Sequence, residues 1–548
     1  MDELTQHEGG APVRGRGVVT TGQRGAMRGR RQALTAWVLV GASSTALLFG
    51  LPVALAATGS GAGAPPPEWA ANAGGWPSHD LDLSNTRADF DTRIDAHDVA
   101  GLKRLWTFSL PYVGEYGAFT SNPIVLGGVV YFQDPDSDVF AVRLSTGRLV
   151  WEHDYRSVTP SGGPNGVAYG YGLLYGATED SLFALNPHTG RQVWIRKLTS
   201  NAREGIDMAP QLYDGKVLIS TVPGNSTSFY IAGADGVVYT LDARTGKLLW
   251  SFSTVKAGAT LWGDPKQNSG GGLWYPPAVD AHGRLFLGVG NPGPYPPTPS
   301  DPNARSRPGP NLYTDSLVAL DGATGKLLWY QQVTPHDLRD YDFQDPPIVV
   351  TEPVRGVPTE IVIGAGKSGK VIAFNADDGK RLWTLDVGKH NGYEYGPLPA
   401  KPVVYCPGSL GGVLTPMAEA HGVLYVPWID VCFKGSATGL AAGGPTTHAG
   451  GLAAVDAATG AIIWKRTFKD IDSGAATVAN DVVFTSTLHG TIYALSTKTG
   501  TTLWTTQAPS GINSFPAITK TMLIVGAGAR TTLANRTSGE IVAYSLPR

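Results

Sequence analysis

The chain has 548 residues, with 71 Gly, 40 Pro, only 16% charged residues and a formal net charge of −2. Near-neutrality without a basic face excludes a nucleic-acid partner held through its phosphates. Length alone would suggest three or four domains, but internal repetition overrides that, and the folded part can bury one large core.

Residues 1–56 read as an export signal or a membrane anchor. Arg28, Arg30 and Arg31 precede an apolar stretch over 33–55, and Ala54-Leu55-Ala56 fits a small-x-small cleavage site. The same stretch is long enough to stay in a membrane. Arg30-Arg31 could belong to a twin-arginine signal, although their neighbours fit it weakly. Residues 57–68 are rich in Gly, Ala and Pro and read as a flexible linker to a folded body over 69–548.

Near the start of that body, LKRLWTFSL carries Trp106. A longer phrase ending in Thr-Gly-x-x-x-Trp then recurs: FAVRLSTGRLVW to Trp151, FALNPHTGRQVW to Trp194, YTLDARTGKLLW to Trp250, and VALDGATGKLLW to Trp329. IAFNADDGKRLW to Trp383 follows, with Asp378 in place of Thr, then AAVDAATGAIIW to Trp464 and YALSTKTGTTLW to Trp504. Each copy begins with the apolar/polar alternation of a half-buried strand. It then turns on a short phrase, Asp-x-x-Thr-Gly in the copies ending at Trp250, Trp329 and Trp464, where a short polar side chain bonds the backbone and Gly accepts positive φ. Repeats roughly 40 to 50 residues apart predict four-stranded units stacked radially into a β-propeller. The recurrent Trp is expected to fill the gap between neighbouring units. The C-terminal EIVAYSLPR has the first half of the phrase without its Trp half, and Trp106 has the Trp half alone. Joined, they predict an all-β, eight-bladed propeller whose last blade is built from both termini.

Two intervals between successive Trp residues, 250–329 and 383–464, carry insertions, and inserted loops are where a propeller binds. The first holds GGGLWYPPAV (270–279), GVGNPGPY (288–295) and a Pro-rich loop to Pro310. TPHDLRDYDFQDPP (334–347) follows the next repeat and concentrates Asp337, Asp340, Asp342 and Asp345 beside His336 and Tyr341. Alternate carboxylates at Asp340 and Asp342 suit a hard cation or a general base beside one. A solvated acidic loop is the plainer alternative. The second insertion holds Cys406 and Cys432, the only cysteines. In an exported protein they are expected to form a disulfide, the alternative being two buried thiols. No Cys-x-x-Cys-His is present, so there is no fused c-type haem and electrons would leave through a separate acceptor.

The run GPNLYTDSLVALDGATGKLLWYQQVTPHDLRDYDFQDPPI resembles the signature region of the pyrroloquinoline-quinone-dependent alcohol dehydrogenases. The likeness extends through WPSHDLDLSNTRADF, GGGLW, GVGNPGP, GAGKSGKVIAF and PMAEAHGVLYVPWIDVC, and so over residues 76–548. It implies a quinone near the propeller axis, held with Ca²⁺ or a lanthanide ion, and a small-molecule alcohol as substrate. By resemblance, Trp274 is the plane on which the quinone stacks, Lys367 bonds its oxygens, Asn291 is an amide ligand of the metal, and Asp340 is the catalytic base and a metal neighbour. Asp342 matches the extra carboxylate of lanthanide-using members.

The chain also departs from the family pattern. The stretch expected to carry a metal-binding Glu reads STVPGNSTSF (220–229), without a carboxylate. Asn165 stands where the family has a cofactor-contacting Arg, Val413-Leu414 replaces an Asn-Trp pair, and the family's adjacent Cys pair is missing. A family Glu has no clear counterpart, Glu115 being near but differently spaced. Two readings follow: an exported quinoprotein dehydrogenase of alcohols, polyols or sugar-like substrates, or a non-catalytic propeller acting as an envelope scaffold. Trp274, Asn291, Asp340 and Lys367 on separate repeats favour the enzyme, since a scaffold needs none of them.

Overall fold

A computed structural model describes residues 63–110, 120–224, 230, 232–442, 444–529 and 539–547. The chain divides into two units, Met1–Gly59 and Ser60–Arg548, and every described residue lies in the second. The export segment expected at 1–56 therefore falls outside the described residues. Among those residues no helix is long and apolar enough to cross a membrane.

The described body is all-β. Its strands form eight antiparallel sheets of four strands, one extended by a fifth strand, with two smaller sheets in the insertions. One sheet unites the two ends of the body: Lys103–Leu110 pairs with Gly539–Ser545, in a register that sets Trp106 opposite Ala543.

The repeated phrase ties each sheet to the next. In the copy around Gly325, Asp321 Oδ1 accepts bonds from the Thr324 amide and hydroxyl, both at 2.8 Å, closing the turn. Gly325 then sits at φ 71°, and a Cβ there would lie 2.5 Å from the ring of Trp250 in the preceding repeat. Only glycine meets both conditions. The Trp250 indole N–H donates to the Gly322 carbonyl in that same turn at 3.2 Å. Trp151 and Trp464 do the same toward Pro187 and Thr497, at 2.9 and 2.8 Å. Within its own sheet each Trp faces a small residue, Ala141 opposite Trp151 and Ala319 opposite Trp329, beside a local register shift that makes room for the ring. These Trp residues are joints between sheets, which is why the phrase recurs.

The segment following the N-terminal helix Pro67–Ala71 runs across the first strands of the sheets. Pro77, Leu83, Ser84, Thr86 and Arg87 give their carbonyls to the amides of Tyr169, Val279, Val349, Glu419 and Val478, each in a different sheet. Arg87 is fully buried and donates to the carbonyls of His79, Ala476 and Pro516, the Thr477 hydroxyl and the Asp80 carboxylate. Residues 63–68, expected within a flexible linker, are also tied down. Gly63 and Ala64 donate to Asp214, and Glu68 accepts from the amides of Tyr171 and Gly172.

Candidate active site

Loops between the sheets converge on a cavity of about 390 Å³. Its wall takes Gly163 and Pro164 from the loop before the second sheet, Trp274 and Tyr275 from the first insertion, Lys367 from the fifth sheet, and Phe515 from the loop before the last. Tyr230, Tyr295, Leu410 and Leu414 add apolar surface, and Asp340 and Lys367 are the charged groups of this lining.

The acidic segment folds back so that Asp340 and Asp342 flank the Lys367 ammonium, at 3.0 and 2.5 Å. Asp340 faces the cavity with 17% of its side chain exposed, while Asp342 is 1% exposed and lies behind it. Burial holds the Asp340 carboxyl well above the usual carboxylate range; Lys367 opposes that shift and Asp342 reinforces it. Burial pulls the Lys367 ammonium down, but the two carboxylates outweigh it and raise its pKa, so it stays charged.

Asn291 closes the group from the other side. Its backbone N–H donates to Asp342 Oδ1 at 2.5 Å and its side-chain amide donates to Pro292 O. Its Oδ1 is buried with no hydrogen-bond partner among the described residues. A buried acceptor left open beside two carboxylates is the donor set a hard cation uses. Asn291 Oδ1 and the Asp340 and Asp342 carboxylates, which also hold the Lys367 ammonium, are the groups here that could take a Ca²⁺ or lanthanide ion. Gly290 makes the packing achievable, since a Cβ there would lie 3.0 Å from Asp342 Oδ1 and 3.2 Å from Trp274 Nε1. A third buried carboxyl, Asp315, lies nearby with its amide bonded to the Gly290 carbonyl. Its pKa is raised well above the ordinary value, first by burial and then by Asp337 and Asp342.

The structure thus gathers Trp274, Asn291, Asp340, Asp342 and Lys367 into one place. It does not bring Asn165 with them. That side chain is buried and donates its amide N–H to the Asp134 carbonyl at 2.8 Å, while its neighbour Pro164 lines the cavity. Of the replaced pair, Val413 is core and Leu414 lines the cavity, its carbonyl accepting the Tyr275 hydroxyl at 2.9 Å. Glu115 and residues 225–229 lie outside the described residues. Cys406 and Cys432 form the disulfide expected of them. The aromatic wall of Tyr230, Tyr275, Tyr295 and Phe515 was not anticipated; only Tyr275, adjacent to Trp274 in GGGLWY, carried a local signal.

A family model described as glucose/ethanol/alcohol dehydrogenase, β-propeller domain, matches residues 76–390. The chain belongs to this pyrroloquinoline-quinone family. A second model, described as outer membrane protein assembly factor BamB, matches residues 448–542. Among curated quinoprotein relatives, the quinoprotein alcohol dehydrogenase PedH of Pseudomonas putida is 28% identical over 77% of this chain and 80% of its own length. The dehydrogenase subunit of alcohol dehydrogenase (quinone) from Gluconobacter oxydans is 31% identical over 68% of this chain and 54% of its own. The quinohemoprotein alcohol dehydrogenase of Comamonas testosteroni superposes with a TM-score of 0.74 at 23% identity, covering 87% of this chain and 82% of that one. A europium-containing methanol dehydrogenase gives 0.72 at 21% identity, over 86% and 98%. The two structures establish the quinoprotein propeller as the fold.

Proposed function

We propose that this protein is an exported quinoprotein dehydrogenase that oxidises alcohols, with pyrroloquinoline quinone and a Ca²⁺ or lanthanide ion held in the cavity. The observation that carries the reading is the pairing of Asp340 with Lys367 on the wall of an aromatic cavity that also contains Trp274. The quinone, when bound, supplies the acceptor for the hydride equivalent leaving the alcohol carbon.

The chain's own residues do the rest. Trp274 offers a rigid plane for a flat ring system. Asn291, Asp340 and Asp342 would hold the cation. Asp340 Oδ takes the proton of the substrate hydroxyl, and a carboxylate whose affinity for protons is raised by burial is the better base for it. Lys367 keeps positive charge beside the site where negative charge develops. The Tyr, Phe and Leu lining favours alcohols with an apolar chain over sugars and polyols, whose extra hydroxyls would each need a buried partner. Export is supported by the Arg-led apolar segment at 1–56, and a separate acceptor by the absence of a haem-attachment motif. We read the eight sheets as blades of one ring, latched by the pairing of Lys103–Leu110 with Gly539–Ser545.

The test is to mix purified protein with the quinone and either Ca²⁺ or a lanthanide, then follow binding by absorbance and dye reduction by a panel of alcohols. Turnover with one of the metals is expected, and Asp342→Ala should lose lanthanide-supported turnover selectively. Failure to bind the quinone with any metal would sink the enzyme reading and leave the envelope scaffold.

A further inference from the structure

Asp340 sits at φ 65°, in the left-handed region that non-glycine residues adopt uncommonly, Asp and Asn most readily among them. The group holding it there is Asp337. Its Oδ1 accepts the Arg339 amide at 2.8 Å and its Oδ2 accepts the Tyr341 amide at 2.7 Å, so one carboxylate grips the backbone on both sides of residue 340. Asp337 is 1% exposed and does not line the cavity.

Asp337 is itself fixed by the long insertion before Trp329. The buried Arg307 donates from Nη2 to the Asp337 carbonyl at 2.5 Å and from Nη1 to Asn311 Oδ1 at 2.7 Å. Asn311 in turn bonds the Pro335 carbonyl through its amide at 2.8 Å. On the far side of the base, the Tyr341 hydroxyl donates to the Pro407 carbonyl at 2.6 Å, next to the disulfide, and Arg339 reaches the carbonyls of Gly396 and Tyr395.

We infer that Asp337 is a positioning residue for Asp340: its carboxylate clamps the two flanking amides and aims the base at the substrate hydroxyl. This rests on Asp340 being the base. A clamp of this kind acts on geometry at the reacting centre, where a misplacement of an ångström costs on the order of 10²-fold in rate.

Asp337→Asn is nearly the same size but keeps one acceptor oxygen and turns an NH₂ toward the other amide. It should lower kcat by about 10²-fold, with KM for the alcohol and quinone affinity by absorbance titration changed less than about threefold. Amide hydrogen exchange should rise in peptides spanning 338–342. Asp337→Glu keeps both acceptors at a shifted reach and should recover part of the lost kcat; it also serves as the readout if the Asn variant does not fold. Unchanged kcat in Asp337→Asn, or in Asp337→Glu where the Asn variant does not fold, overturns the proposal, as does a parallel loss of kcat and quinone affinity. Asp340→Asn, run alongside, separates the failures. Full turnover there removes the base assignment and this inference with it. Turnover lost there but kept in Asp337→Asn removes this inference alone.

Discussion

Gly325→Ala tests the joint between sheets at a single atom. The new methyl meets two penalties. At φ 71° an alanine pays about 1–2 kcal/mol for left-handed backbone. Its Cβ also lies 2.5 Å from Trp250 Cε3, so the indole must shift, loosening its 3.2 Å bond to the Gly322 carbonyl and the packing around it. Overpacking of this kind costs about 1–3 kcal/mol, giving a total of about 4 kcal/mol. Trp250→Ala alone removes a buried indole, at about 3–5 kcal/mol. In the double variant no ring remains to clash with the methyl, so only the backbone penalty adds to the Trp loss. The two changes should then fall short of additivity by about 2 kcal/mol. Equilibrium urea unfolding followed by far-ultraviolet circular dichroism on all four proteins measures the cycle. Additive losses, or a Gly325→Ala cost below about 1 kcal/mol, would refute the idea that Gly325 is glycine because of the neighbouring Trp.

Asp340→Asn should cut turnover by at least 10²-fold while quinone binding persists; steady-state dye reduction and an absorbance titration check the two halves. Burial lifts the Glu419 carboxyl to about 7 from 4.5. A raised folded-state pKa gives stability that is complete below the unfolded value and is lost as pH climbs through the folded one. Glu419→Gln keeps the acceptor for the Gly422 amide, so wild type should lose about 3 kcal/mol relative to it between pH 4.5 and 7, read from urea midpoints across that window. Cys406 and Cys432 are 26 residues apart, and replacing both with Ala should lower stability by about 3–4 kcal/mol through the freed unfolded loop. The same measurement on reduced wild type should give a similar loss.

The order of strands was legible because the joint sets a Gly against the preceding Trp at every copy of the phrase. Asp321, Thr324, Gly325 and Trp250 each have a local reason to be what they are, and the reason repeats. The site residues were legible only through resemblance, since nothing in the spacing of Lys367 and Asp340 announces an ion pair across 27 residues. Asn165 could be placed by position alone, but its bond to the Asp134 carbonyl had no signal in the sequence. The likeness carried by WPSHDLDLSNTRADF did not reveal the path of residues 77–87, because it bonds through backbone carbonyls that every residue owns. Asp337 was visible as one more acidic residue, and only the backbone dihedral of its neighbour separates a clamp from a ligand.

Pairing Lys103–Leu110 with Gly539–Ser545 also sets a timetable. A chain made from its N-terminus carries Lys103–Leu110 without its partner until Gly539–Ser545 has been made. The carbonyls of 77–87 wait in the same way for sheets that end with Thr477–Ala479. Contacts so distant in sequence are the slowest to form, and unpaired strands are the ones that aggregate. The described body can therefore become one cooperative unit only once Gly539–Ser545 has been made. A nascent chain that has not yet made Gly539–Ser545 leaves Lys103–Leu110 without its one partner strand, open to the wrong pairing.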